Sequence, residues 1–139
     1  MGKSANCVTL FEFTDRDNPN YYSPDGCLVE KGTDKLVRGR TDRYGNAIIP
    51  DCVKSIGDEA FYGCLSLENA AIPCSVESIG ECSFGNCVSL KSVTVPHSVK
   101  SIGKETFLGC DSLKIVTVPK SLANIIKDAF GPNVVVKGI

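Results

Sequence analysis

The sequence predicts an α/β-type solenoid: a right-handed coil of short parallel strands and short helical or 3-10 turns, interrupted once by an inserted β-hairpin. Three observations carry that reading. Pro50, Pro73, Pro96 and Pro119 recur every 23 residues, and Phe61, Phe84, Phe107 and Phe130 keep the same period at the far end of the unit. Such a unit is too short to bury its apolar side alone, so it must stack on its neighbours. Between Phe13 and Ile48 the period breaks, and a stretch of alternating apolar residues takes its place.

Taken in order, the elements divide a single repeat domain over residues 1–139. Residues 1–13 are a tail plus a partial unit, because Asn6-Cys7-Val8-Thr9-Leu10 repeats Asn86-Cys87-Val88-Ser89-Leu90. The chain therefore opens halfway through a coil and reads as a fragment of a longer array. Residues 14–48 are the insertion. Cys27-Leu28-Val29 and Leu36-Val37 flank the turn residues Glu30 to Lys35, which predicts a hairpin.

Full units follow at 49–71, 72–94 and 95–117, and a degenerate one at 118–139. Leu67, Ala70 and Ile72, then Leu90, Val93 and Val95, then Leu113, Val116 and Val118 have the spacing of strand residues that point inward. A second extended piece carries Val53/Ile56, Val76/Ile79, Val99/Ile102 and Leu122/Ile125. Gly57, Gly80 and Gly103 come next, where a sharp turn gains from a missing Cβ. An Ala, Ser or Thr before an inward Phe, with Cys shortly after, predicts a turn of helix or 3-10 helix. Val134 and Val136 predict a last strand closed by Lys137-Gly138, and either end is a candidate open sheet edge.

Composition narrows the function. With a net charge of −1, 22% charged residues and a mean hydropathy of +0.03, a basic nucleic-acid surface is excluded. No stretch approaches the roughly 18 apolar residues of a membrane span. Met1 to Ala5 lacks the apolar core of a signal peptide, so an export signal is expected outside this chain.

Eight cysteines are the unusual feature. Cys7, Cys64, Cys87 and Cys110 share one repeat position between Phe and Leu and read as a buried column of small fillers. Parallel side chains in a column disfavour disulfides, so thiols are expected there. Cys27 belongs to the hairpin, and Cys52, Cys74 and Cys82 fall outside the repeat's logic. A cross-coil Cys52–Cys74 disulfide stays open. Zinc is disfavoured because no C-x-x-C pair occurs and only Cys82 and Cys87 come close. His97 lies at a variable loop position and offers no base to a nucleophilic cysteine. Asp58, Glu59, Glu81 and Glu105 read as turn residues. No catalytic, cofactor-binding or metal-ligating residue is assigned, and no cofactor or enzymatic activity is expected.

Binding is expected on a face that successive coils share. The outward strand positions form two columns, Asn69, Ser92, Ile115 and Ala71, Thr94, Thr117, extended by Glu12 and Thr14 and preceded by Glu68, Lys91 and Lys114. Ile115, an apolar side chain expected to be exposed among Thr and Ser, marks a contact site. The insertion is the second candidate surface, where Tyr21, Tyr22, Arg38, Arg40, Arg43 and Tyr44 are residue types enriched in interface hot spots. Tyr21 and Tyr22 read equally well as a cover for the end of the coil stack.

The pattern I/V-P-x-S-V-x-S-I-G-x-x-A/T-F-x-G-C-x-S-L-x-x-V, close over 49–130 and partial over Cys7 to Phe13, resembles the BspA-like leucine-rich repeat family. The insertion, from Asn18-Pro19-Asn20-Tyr21-Tyr22-Ser23-Pro24-Asp25-Gly26 onward, resembles the hairpin that interrupts such arrays. The resemblance implies a leucine-rich-repeat coil in a cell-surface or secreted protein that recognises or adheres to a protein ligand, a host matrix or other cell-surface protein, without catalysis. It implies neither a nucleic-acid partner nor direct insertion into a membrane, and oligomeric state is left open. The competing reading is a structural spacer carrying other modules, and a thiol or metal site stands third.

Overall fold

In the computed structural model, residues 19–126 and 134–139 are described, with residues 124–126 described by backbone alone. The partial unit around Cys7, with Glu12, Thr14 and Phe130, lies outside them. The chain is a β-solenoid of about four turns. Its strands are β1 (Tyr21–Tyr22), β2 (Leu28–Glu30), β3 (Lys35–Arg38), β4 (Arg40–Thr41), β5 (Ala47–Ile48), β6 (Ser55–Ile56), β7 (Asn69–Ala71), β8 (Ser78–Ile79), β9 (Ser92–Thr94), β10 (Ser101–Ile102), β11 (Ile115–Val118) and β12 (Val135–Gly138). One sheet runs β1-β2-β3-β6-β8-β10 and a second β12-β11-β9-β7, with β4 and β5 as a small pair.

The sequence period sets the register. Ala70 pairs with Val93 and Val93 with Val116, each one unit apart, while Ile56, Ile79 and Ile102 align in the other sheet. Equivalent residues therefore stack, and the inward ones form the core. Leu67, Leu90 and Leu113, Val53, Val76 and Val99, and Val93 and Val116 are all buried. Phe61, Phe84 and Phe107 stack with ring centroids 5.1 and 5.5 Å apart and interplanar angles of 9° and 10°. The buried hydroxyls beside this column are satisfied by bonds both within and between coils. Ser83 Oγ donates to Gly80 O (2.6 Å) and Gly57 O (3.0 Å), and Thr106 Oγ1 to Gly103 O (2.6 Å) and Gly80 O (3.3 Å).

The expected helical turn before each Cys is not helical, and the α/β description is corrected accordingly. Glu59, Cys82 and Glu105 hold φ of 60°, 53° and 55°, and Gly63, Asn86 and Gly109 hold 71°, 56° and 79°. Two left-handed residues within five positions cannot belong to a right-handed helix. Among the described residues, helix is confined to a 3-10 turn at Pro24–Gly26 and to α1 (Lys120–Ile126). The helix α1 replaces the extended piece expected at Leu122/Ile125. At the position of Gly57, Gly80 and Gly103 this unit carries Ile126, and Lys, Leu and Ala favour helix.

Those three glycines also act differently from expectation. None has a positive φ; they mark where coils approach closely. A Cβ on Gly80 would stand 2.7 Å from Asp58 N, and one on Gly103 2.6 Å from Glu81 N.

The insertion is a hairpin as expected, β2 pairing antiparallel with β3 and β1 with β2. It also supplies a coil of its own. Strand β3 lies parallel to β6, with Leu36 opposite Ile56. Lys54 N donates to Asp34 O (2.9 Å), Gly57 N to Leu36 O (2.8 Å), Gly39 N to Ala60 O (3.1 Å) and Asn69 N to Gly45 O (3.0 Å). Gly39 sits against the Phe61 ring where any Cβ would overlap it, so the aromatic column ends on a glycine. The hairpin thus extends the stack by one turn.

Candidate protein-interaction surface

The outward positions of the second sheet line up as expected. Asn69, Ala71 and Thr94 are exposed, and Ser92, Thr117 and Ile115 are half-buried. Ile115 departs from the expected exposure because Val135 of β12 stands beside it in register. Val135 is itself 54% exposed. The sequence expected a last strand at Val134 and Val136, and the structure pairs that strand in parallel with β11.

Along this face the chemistry changes from one end to the other. At the insertion end, Asn69 Nδ2 donates to Asn46 Oδ1 (3.3 Å) and Ser92 Oγ to Asn69 Oδ1 (2.7 Å). Asn46 in turn is anchored on Asp42, whose carboxylate accepts from Asn46 N (2.9 Å) and Tyr44 N (2.8 Å). These bonds hold the Asp42 carboxyl below its usual range. Glu68 and Lys91 pair at 3.6 Å, both largely exposed, an interaction of little energetic weight. This end is largely satisfied by its own side chains. At the other end Ile115 and Val135 form an apolar step flanked by Lys114, Thr117 and Lys137, with no amide ladder continuing across it.

In the insertion, the six aromatic and basic residues do not form one patch. Tyr22 packs against the core, and its hydroxyl donates toward Asp34 Oδ1 (3.1 Å) and Cys52 Sγ (3.3 Å). The Cys52 bond, burial and Asp34 push the phenol above its ordinary range. Tyr21 pairs with Glu30 in the sheet. Arg38 donates to Glu59 O (2.6 Å) and Arg40 to Asp25 O (3.2 Å). Tyr22 and Arg38 therefore tie the insertion to the stack, while Tyr21 and Arg40 are held within the insertion itself. Arg43 lies 5.8 Å over the Tyr44 ring, and Tyr44 is 71% exposed, so only this pair is presented outward.

The cysteines separate by environment. Cys27 donates to Ile48 O (3.3 Å), Cys87 to Phe61 O (3.0 Å) and Cys110 to Phe84 O (2.9 Å). The ladder thiols thus tie each coil to the preceding one as well as filling space. Burial pushes Cys27 up to about 12, and the hydrogen bond with Cys110, together with burial, pushes Cys87 far above its ordinary value. Cys64 corrects the expectation of thiols throughout the ladder: it is disulfide-bonded. Cys52 and Cys74 are exposed free thiols, not the disulfide left open by the sequence. Cys82 is raised by desolvation and by Glu105, Glu59 and Glu81 around it. His97 is exposed and meets Ile139 O at 3.2 Å. Among the described residues no group of His, Cys, Asp or Glu is placed to hold a metal ion, and no helix is long and apolar enough to cross a membrane.

A third patch escaped the sequence reading. Tyr62, Leu65, Val88 and Leu108 are exposed, all at variable positions just after the Phe or the Cys of the unit. Tyr62 lies over Gly85, and its hydroxyl accepts from Asn86 Nδ2 (2.7 Å). Comparing side chains down these two columns would have revealed it.

Comparison with known proteins places this architecture. The family model for the BspA type leucine rich repeat region matches residues 41–136 in six copies. A leucine-rich repeat protein from Bacteroides ovatus is 41% identical over 65% of this chain and 23% of its own, with a TM-score of 0.60. A leucine rich cell surface protein from Faecalibacterium prausnitzii is 26% identical over 88% of this chain and 41% of its own, with a TM-score of 0.58. A leucine rich repeat protein from T. pallidum is 31% identical over 65% and 43%, with a TM-score of 0.52. The chain thus spans less than half the length of each of these structures, and no curated protein matches it. With the repeat model covering most of its length and the same coil in its structure, the chain belongs to the BspA-type leucine-rich repeat family.

Proposed function

We propose that this chain is a non-catalytic protein-recognition segment of a cell-surface or secreted protein, and that it binds through the Ile115–Val135 end of its outward strand face. The carrying observation is the change of chemistry along that face. Asn46, Asn69 and Ser92 bond one another, so a partner gains little by replacing those bonds. Ile115 and Val135 expose apolar surface beside two lysines, and burying it is favourable. The cell-surface relative from Faecalibacterium supports the location, and the partner class is a protein of a host matrix or of another cell surface.

The test is binding of the whole chain to a panel of matrix and cell-surface proteins, followed by Ile115→Glu, Val135→Glu and Asn69→Ala. The two glutamate variants should lose binding at least tenfold, equivalent to about 1.4 kcal/mol, while Asn69→Ala retains it. Binding that survives both glutamates would sink the strand-face reading. The exposed Arg43–Tyr44 pair favours the insertion as the alternative contact, and Tyr44→Ala in the same assay decides between them. A spacer role, supported by the small share of its relatives that the chain spans, predicts no binding by any of these proteins.

A further inference from the structure

Cys52 and Cys74 occupy the same tight turn on neighbouring coils. Val53 N donates to Pro50 O and Val76 N to Pro73 O, at 3.1 Å each, so Asp51-Cys52 and Cys74-Ser75 are the central pairs of the two turns. Directly after the turns the coils are locked together, Glu77 N donating to Lys54 O at 2.8 Å and Ser55 standing opposite Ser78. Cys74 therefore stacks on Asp51 and Ser75 on Cys52. One coil of about 4.8 Å and one residue of about 3.8 Å place the two cysteine Cα atoms about 6 Å apart on the diagonal, within the range of about 4.4–6.8 Å that a disulfide spans.

Both thiols are free and exposed. Among the described residues the remaining free thiols are engaged otherwise: Cys27, Cys87 and Cys110 donate to carbonyls, and desolvation together with the carboxylates around it disfavours the thiolate of Cys82. Cys52 Sγ meets the Tyr22 hydroxyl, so the group that would turn toward Cys74 also makes one of the contacts between the insertion and the stack.

We propose that Cys52 and Cys74 form a reversible modification site that closes into a cross-coil disulfide when a low-molecular-weight disulfide, such as glutathione disulfide, is present. The thiolate of one cysteine attacks a sulfur of glutathione disulfide, forming a mixed disulfide and expelling one glutathione thiolate. The second cysteine, as thiolate, attacks the protein sulfur of the mixed disulfide and expels the second glutathione. Two protein thiols lose two electrons and two protons, and one glutathione disulfide gains them as two glutathione molecules. Closure ties unit 49–71 to unit 72–94 and withdraws the Cys52 sulfur from Tyr22.

The test treats the whole chain with glutathione disulfide, quenches with acid, and analyses the peptides by mass spectrometry. The wild type should give a Cys52–Cys74 cross-linked peptide that a monothiol reductant reopens. Cys52→Ser and Cys74→Ser, both in an exposed turn, should each instead accumulate a stable glutathione adduct on the remaining cysteine. The closed form should also unfold several degrees higher than the Cys52→Ser variant. Glutathione retained on both cysteines of the wild type, or cross-links only between chains, would overturn the proposal.

Discussion

Ser75 and Ser98 show how far one repeat position can differ at the level of a single side chain. Ser98 Oγ donates to Val76 O at 2.7 Å, whereas Ser75 Oγ is buried without a partner. Ser98→Ala should cost about 1 kcal/mol, the net worth of a hydrogen bond, while Ser75→Ala should cost nothing or stabilise, since it removes an unsatisfied hydroxyl. Urea denaturation of the two variants checks this, and equal losses would contradict it. Cys27 gives a pH-dependent counterpart. Burial raises its folded pKa from the ordinary 9.0 to about 12, so the fold favours the neutral thiol. Its contribution is complete below pH 9.0 and is lost as pH rises toward about 12, at most about 1.4 kcal/mol per pH unit. Between pH 7 and pH 10, we expect the wild type to lose more stability than Cys27→Ala in parallel urea titrations.

The strands, the core columns and the hairpin were legible in the sequence because a strict period forces equivalent residues to stack, so Val93 and Val116 had to share one environment. The turns were only half legible: Gly63, Asn86 and Gly109 are types that favour a left-handed backbone, but the first left-handed residues are Glu59, Cys82 and Glu105, which give no local signal for it. Glycine in the same segments misled in the other direction. Gly103 is needed for coil contact, so Gly103→Ala should cost about 1–3 kcal/mol through backbone displacement. Gly63, at φ 71° with open space around its Cβ position, stands where the next unit holds Asn86 at φ 56°. Gly63→Asn should therefore stay within about 1 kcal/mol, and thermal melts of the two variants separate contact from conformation. The coil formed by the insertion was hidden for a related reason. Its register is set by Leu36 and Gly39, which do not keep the period of the units, and only Asn46, opposite Asn69, rejoins it. On the candidate site, the columns were legible but their change of chemistry was not, because it depends on Val135 and on the hydrogen bonds between side chains.

At the scale of the whole molecule, stacking by nearest neighbours leaves the outermost strand exposed to other chains. Among the described residues one such strand is β12, at one end of the order β12-β11-β9-β7. Val135 N donates to Lys114 O and Ile139 N to Val118 O, so in a parallel ladder the alternate residues Val136 and Gly138 turn their N–H and C=O groups outward. The strand exposes Val135, the residue after it, Ile139, is exposed as well, and Lys137 is the strand's only charge. A single lysine on an otherwise apolar edge is a common barrier to edge-to-edge pairing. We therefore expect Lys137→Val to shift the chain toward dimers and larger species in sedimentation velocity at concentrations where the wild type does not, and Val135→Lys to oppose that shift when combined with it. A Lys137→Val chain that sediments as the wild type does would mean that something other than charge protects this edge. Since Ile115 lies one strand inward and Val135 on the edge strand itself, the same measurement separates binding through the outward face from association through the backbone. Loss of a partner with Ile115→Glu at unchanged sedimentation belongs to the face, whereas a changed sedimentation coefficient belongs to the edge.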